Sequence, residues 1–466
     1  MSQHTLPSEE DLREYYVGKD LNDVPKPSAV LDAAIIKRHC EQMLRTMKVL
    51  NVGFRAHVKT HKTHHVAALQ VGDDENSPAN FIASTVFEIE SLQLLFAELG
   101  QHGRAVNVLY GIPLPPSQVE RLAAVASLLG KNSVTVMIDH PDQLAALEKF
   151  AALAGFPACV FLKIDTGYHR AGLPPASLNK NGLLEKLAAA EQAGHAKVLG
   201  LYSHSSLSYA GTTADEAMNH LVSEITGCVE ALKQNRHLLP QDKDRELVIS
   251  VGASPQVVSS QNLVADEPLS AEAQKLKELL RNPDSDPNSN VKIELHAGVY
   301  PILDMQQLST NARGRATNPE HEVAISVLAE VCSVYNDGER SKPEALLAAG
   351  TLALGREPCP SYRGWGTLSS WRQEANPGSS DRLIVDRISQ EHAIVSWEHS
   401  ADEKIPLHVG QTVKIFPNHA CITSAYYEWY LVVDSEADAG AAKIVDVWVR
   451  ARGLGGMPDM LLNPRR

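Results

Sequence analysis

The chain reads as an α/β protein: a closed (β/α)8 barrel of the TIM type followed by a C-terminal β domain. Three observations predict this. Eight short runs rich in β-branched residues alternate with alanine- and leucine-rich segments of helical spacing, the helical periodicity stops after about Ser309, and strand-like segments divided by turn-rich stretches follow it. Strand–helix alternation at this spacing marks parallel crossover units. Eight such units in one array favour closure, with an open sheet as the alternative.

The runs, taken from β-branched density and bounded by turn residues, are Arg55 to Lys59, Asn80 to Thr85, Val106 to Gly111, Val134 to Asp139, Cys159 to Asp165, Val198 to His204, Leu247 to Gly252 and Val291 to Gly298. Helical spacing fills the gaps, as in Phe87 to Leu99, Gln118 to Leu129, Pro141 to Leu153, Asn179 to Gln192, Asp215 to Lys233 and Ala271 to Leu280. The Pro-, Asp-, Ser- and Asn-rich stretch Asn282 to Asn290 reads as a loop ahead of the eighth strand. Beyond residue 309, Glu322 to Tyr335, Arg382 to Trp397, Gln411 to Tyr430 and Lys443 to Arg450 read as strands, with turns over Glu357 to Gly366 and Glu374 to Asp381. The expected domains are therefore 27–309 and 310–466. Residues 1–26 read as a short helix packing on one of them, and the sequence leaves open which.

With 466 residues the chain has room for a barrel of about 250 residues and a second domain. Lys and Arg total 43 against 56 Asp and Glu, a net charge of −13. An acidic surface disfavours nucleic acid and anionic membrane as partners. No window approaches the apolar length of a membrane span, and Met1 to Glu10 is polar and acidic, unlike a secretion signal. The six cysteines have no paired spacing and the ending Asn463 to Arg466 is no peroxisomal or lipidation tail, so a cytoplasmic location is expected.

Chemistry in a parallel barrel sits at the carboxyl ends of the strands. There the first run ends in Lys59, with His57 two residues earlier on the same face. A lysine so placed points to a Schiff base with a carbonyl cofactor, pyridoxal phosphate first among candidates. The fifth run continues through Asp165-Thr166-Gly167 to Arg170 and Gly172, where the arginine can hold an oxyanion. The sixth leads into Tyr202, His204 and Tyr209, and the eighth into His296 and then Asp304. The seventh ends in Gly252-Ala253-Ser254, small residues that let backbone N–H groups approach a phosphate. In the β domain His419 and Cys421, two apart on an expected strand, are a candidate zinc pair, although two ligands alone are a weak motif and a buried cysteine beside a surface histidine is the alternative. His61 and His65, four apart beside Lys59, are a weaker metal motif still. No phosphate-binding Gly-Lys loop, dinucleotide fingerprint or His-Glu-x-x-His is present.

Together, the His-Val-Lys-Thr-His setting of Lys59, the segment Asp165 to Gly172 and the turn Ser250 to Pro255 resemble the alanine-racemase-type (fold type III) barrel of pyridoxal phosphate enzymes. The run Pro417-Asn418-His419-Ala420-Cys421 narrows the resemblance to the eukaryotic D-serine dehydratase and D-threonine aldolase branch, from about Pro27 to about Asp434. That resemblance implies Lys59 as Schiff-base lysine and base, Arg170 facing the pyridoxal oxygen, and Tyr202 and Tyr209 lining ring and phosphate. Gly252, Ala253 and Ser254 would hold the phosphate, and His419 and Cys421 the zinc that activates the substrate's β-hydroxyl. It implies a homodimer acting on a small β-hydroxy D-amino acid. Dehydration of D-serine to pyruvate and ammonia is the preferred outcome, because bacterial aldolases of the family tend to carry aspartate where this chain has Cys421. Retro-aldol cleavage is the alternative, and the departure of Ser205 to Tyr209 from the family's dehydratase pattern at Ser206 and Leu207 tempers the choice and leaves room for a longer β-hydroxy D-amino acid. A metal-free racemase and a non-catalytic cofactor carrier are more distant readings.

Overall fold

The computed structural model describes residues 7–239, 245–265, 268–284, 290–314, 318–371, 381–400, 402–438 and 440–451. Among them the chain forms two compact units, one of residues 40–298, 312–314 and 451, the other of 7–39, 299–311 and 318–450. No helix among the described residues is long and apolar enough to cross a membrane.

The chain's first strand, β1 (Ser28–Asp32), lies in the second unit, and the next eight make the barrel: β2 (Gly53–His57), β3 (Ala79–Ala83), β4 (Val106–Pro113), β5 (Val134–Ile138), β6 (Ala158–Lys163), β7 (Ala196–Tyr202), β8 (Leu247–Val251) and β9 (Val291–Ala297). Each pairs in parallel with its neighbour, and β2 pairs in parallel with both β3 and β9, which closes the cylinder. All eight expected runs are strands of this barrel, displaced by a few residues at their ends.

Alternation along the strands sends every second side chain inward and builds the interior in layers. One layer is apolar, with Ile82, Leu109, Met137 and Phe161 buried beside Tyr202. Another is polar and centres on an ion pair. The Arg55 Nε donates to Glu294 Oε1 at 2.7 Å, and its Nη1 donates to the Asn107 side chain at 2.7 Å and the Phe81 carbonyl at 3.2 Å. The other oxygen of Glu294 accepts from Asn80 at 3.1 Å. Two charges taken out of water are tolerated only when hydrogen bonds meet their remaining valences, and here they do.

The second unit contains β1 with β10 (Ile325–Tyr335), β11 (Glu344–Leu347), β12 (Gly366–Leu368), β13 (Leu383–Ile388), β14 (Ala393–Trp397), β15 (Thr412–Pro417), β16 (Trp429–Val433) and β17 (Asp446–Val449) in the order β11-β14-β13-β12-β15-β10-β1-β16-β17. A further β10–β11 pairing closes six of them on a core that includes Val327, Leu347, Val385, Val395 and Ile415. The helix Glu9–Tyr16 places Leu12 and Tyr16 against Val30, Leu328 and Leu431 in this unit, so the described part of residues 1–26 packs on it.

Three expectations need correction. The barrel unit does not begin at residue 27, because Ser28–Asp32 pairs antiparallel with β10 and parallel with β16 in the β unit. Nor does it run to 309, since Val299–Asn311 belongs to that unit too. A five-residue apolar segment carries no sign of which distant strands its backbone will meet. Lastly, Gln411 to Tyr430 is not continuous strand, because β15 stops at Pro417 and a short helix, Ala420–Ser424, precedes β16. The expected loop over 282–290 and turn over 374–381 fall mostly outside the described residues.

Barrel closure depends on close backbone approach at Gly200, where φ is +150° and an added Cβ would lie 1.9 Å from the Val248 carbonyl oxygen. Gly200→Ala is therefore expected to destabilise by about 3 kcal/mol. Gly100, in the exposed helix Gln93–Gln101 with nothing within 4 Å of its would-be Cβ, is the control: Gly100→Ala should stabilise by about 0.5–1 kcal/mol. Denaturant melts of the two variants check both signs.

Candidate active site

Lys59 lies two residues beyond the end of β2, half-buried at the carboxyl end of the barrel. Its ammonium acts on its surroundings. Burial first, and then the charges of Lys59 and Arg170 among others, hold the His57 imidazole well below its ordinary range. Burial and the charges of Arg170 and Lys59 bring His204 down to about 3, against the hydrogen bond it makes to Gly252. Both rings are neutral at physiological pH, which leaves lysine and arginine as the cations of this face.

Local structure explains how Arg170 arrives there. The Asp165 carboxylate accepts from the backbone N–H groups of Gly167 and His169, each at 3.0 Å, and from the His169 ring at 2.7 Å, folding the segment after β6 into a tight loop. Gly172 closes it at φ +103°, where a Cβ would meet the Ile164 backbone at 2.7 Å. Asp165-Thr166-Gly167 is thus a loop around a carboxylate.

Tyr202 ends β7, buried, with its phenol pushed upward chiefly by burial and drawn down by the charge of Arg170. Its ring is stacked on the His296 ring, centroids 4.4 Å apart and planes 3° from parallel. Beyond β8, Gly252 has φ +139°, and a Cβ there would lie 2.6 Å from the His296 carbonyl oxygen. Its own carbonyl accepts from His204 Nδ1 at 2.6 Å. Ala253 and Ser254 are buried, and the Ser254 hydroxyl accepts from the Gly298 N–H at 3.3 Å. Lys59, Arg170, Tyr202 and the Gly252 turn are therefore gathered at one end of the barrel. Tyr209 sits half-buried on the turn Leu207–Ala210.

One ionisable group here escaped the sequence reading. Glu224, buried on the helix Ala214–Asn235, accepts from the Ser203 hydroxyl at 2.8 Å. Burial pushes its carboxyl up to about 7, although Ser203 and Lys163 pull it down. Lys163 is itself buried and lowered, and donates to the Ile164 carbonyl at 2.7 Å. A glutamate at a buried helix position is a visible signal, since such a charge needs a partner; the partner on a distant strand is not. Of the histidines beside Lys59, His61 is engaged at both nitrogens, accepting from Thr63 N–H at 3.1 Å and contacting Gln70 at 3.0 Å, which speaks against the weak metal motif.

In the β unit, His419 precedes the helix Ala420–Ser424 and Cys421 lies within it, so their proximity comes from a strand–helix junction and not from strand alternation. The two side chains are hydrogen-bonded, and the thiol, together with Asp304 and Glu357, raises the His419 imidazole against burial. His419 Nδ1 is buried without a hydrogen-bond partner. Asp304, which accepts from the Ala420 N–H at 2.7 Å and the Gln307 N–H at 2.8 Å, fixes the start of this helix.

Comparison with known proteins places this geometry in a lineage. Residues 31–266 match the alanine racemase N-terminal domain and residues 324–433 a serine dehydratase domain. The D-serine dehydratase of Schizosaccharomyces pombe is 34% identical over 96% of this chain and 96% of its own length, and that of Saccharomyces cerevisiae 29% identical over 94% and 98%. The solved D-threo-3-hydroxyaspartate dehydratase of Delftia sp. HT23 superimposes with a TM-score of 0.69 at 24% identity, covering 93% of this chain and all of that one. Structures of that dehydratase also exist with alanine replacing a histidine and, in a metal-free form, replacing a cysteine two positions further on. With a relative of more than 30% identity spanning nearly its whole length, and with both of its parts matched, this chain belongs to the D-serine dehydratase family of lyases.

Proposed function

We propose that the chain is a D-serine dehydratase that uses pyridoxal phosphate on Lys59 and zinc on His419 and Cys421 to convert D-serine to pyruvate and ammonia. The observation that carries this reading is the full-length similarity to a D-serine dehydratase in a chain whose barrel presents Lys59 beside Arg170, Tyr202 and a glycine turn. The residues fit both groups. At Gly252 the space a Cβ would fill is closed by backbone and Val257, so only glycine permits a backbone turn of that shape, the kind that receives a phosphate. An imidazole and a thiol in contact, with the buried ring Nδ1 lacking a hydrogen bond and 4.0 Å from the Glu357 carboxylate, are donors that zinc takes readily once they are deprotonated. The spacing equals that of the histidine and cysteine replaced in the Delftia enzyme.

When bound, pyridoxal phosphate spreads the charge left at Cα as its proton departs, and zinc makes the β-hydroxyl a better leaving group. The chain's own residues do the rest. Lys59 would hold the cofactor and act as the base at Cα. Arg170 would face the cofactor's phenolic oxygen, and Tyr202 and Tyr209 would border its ring and phosphate. Gly252, Ala253 and Ser254 would hold the phosphate. Neutral His57 and His204 leave the positive charge to Lys59 and Arg170, which suits an anionic cofactor and a substrate carboxylate. The family resemblance extends the reading to a cytoplasmic homodimer, and six cysteines outside any disulfide suit a reducing compartment.

Retro-aldol cleavage is the second reading, favoured by the exposed Leu207 in the segment after β7 where this chain departs from the dehydratase pattern. Incubation with D-serine and D-threonine side by side decides between them. Pyruvate from D-serine with little glycine from D-threonine is expected, and glycine with an aldehyde as the main products would replace dehydratase by aldolase. Lys59→Ala should fold normally yet lose the borohydride-reducible cofactor link and at least about a thousandfold in turnover; a link retained on another lysine, such as Lys62 or Lys163, counts against Lys59. Cys421→Ala should keep the cofactor while losing bound zinc, measured by metal analysis, and at least about a hundredfold in kcat. Unchanged turnover after chelation would favour the metal-free racemase.

A further inference from the structure

His296 closes a chain of buried polar groups that begins in the barrel interior. Glu294 is held by the Arg55 guanidinium at 2.7 Å and accepts the Ser250 hydroxyl at 2.8 Å. Ser250 Oγ also lies 3.1 Å from His296 Nδ1. A serine hydroxyl has one hydrogen, and here it is directed at a carboxylate. The serine oxygen can then only accept from the ring, so Nδ1 carries the proton. On a neutral imidazole this leaves Nε2 bare, and in the structure Nε2 is buried and has no hydrogen-bond partner. Such an atom is costly unless something donates to it.

We propose that Arg55, Glu294 and Ser250 lock His296 into the Nδ1–H tautomer, so that Nε2 serves as a fixed acceptor for an N–H or O–H group of the molecule bound at the barrel mouth. The ring's orientation is set independently by its parallel stack on Tyr202. Burial chiefly keeps it neutral, helped by the charges of Arg55 and Lys163, and a proton on His204 or His57 would only add to the effect. A phosphate or carboxylate oxygen, lacking a hydrogen, finds no partner at Nε2. A protonated nitrogen or a hydroxyl does. Arg55, Glu294 and Ser250 are positioning residues, acting through the ring. The identity of the bound molecule as cofactor rests on the proposed function, whereas the tautomer does not.

The test is long-range proton–nitrogen NMR of the full-length protein labelled with 15N-histidine, with His296 assigned from the signals missing in His296→Phe. Expected is a protonated Nδ1 and a bare Nε2, unchanged between about pH 6 and pH 8, where an ordinary histidine titrates. Ser250→Ala should mix the two tautomers and Ser250→Thr restore one. A wild-type ring protonated at Nε2, or a tautomer indifferent to Ser250→Ala in a protein whose circular dichroism is native, overturns the lock. Absorbance titration with pyridoxal phosphate supplies a second readout, with His296→Phe expected to bind about tenfold more weakly; equal affinity overturns the acceptor role. If wild-type protein shows the tautomer but takes up no pyridoxal phosphate, the acceptor awaits a different molecule: the proposed function falls and the lock stands.

Discussion

An ionised guanidinium inside a protein must be met by an opposite charge, and its remaining donors by acceptors. Arg55 lies within the barrel under these terms, with Glu294 as counter-charge and Asn107 and the Phe81 carbonyl taking another of its donors. The partners come from β3, β4 and β9, so the pair is satisfied only in the closed cylinder with its strands in register. A shift of one residue would turn the charges outward against the surrounding helices and bring apolar groups in. The same carboxylate reaches Ser250 and, through it, His296. The interaction that fixes register in the interior also shapes the mouth.

The electrostatics of that mouth follow from burial. Three imidazoles, those of His57, His204 and His296, are kept neutral because a low-dielectric setting rich in cations disfavours a further positive charge. Nearby, Glu224 is raised and Lys163 lowered, so each is drawn toward its neutral form and the pair stores less charge than its residue types suggest. The unburied cations then dominate the field. A site built this way attracts anions while offering neutral rings for hydrogen bonding and stacking.

In the β unit a different constraint operates. The proline that ends β15, and the helix that begins three residues later, bring His419 and Cys421 into contact at a junction anchored by Asp304. Strand alternation would also have put them on one face, so the spacing is compatible with two local structures, and only the backbone distinguishes them.

Much of the barrel was legible because period and composition report directly on it. Eight β-branched runs, each followed by a helical repeat, leave few other parallel arrangements, and carboxyl-end placement makes Lys59, Arg170 and Gly252 stand out from residues of the same type elsewhere. What the sequence could not determine was which distant atoms share an interior. Glu294 and Ser250 look like ordinary polar residues in apolar strands until β8 and β9 are side by side, and Ser28–Asp32 reads as a prelude to the barrel until its backbone pairs with β10 and β16 in the other unit. Local periodicity is written in neighbouring residues. Tautomers, buried ion pairs and strand partners depend on contacts between residues tens to hundreds of positions apart, and these exist only once the chain has folded.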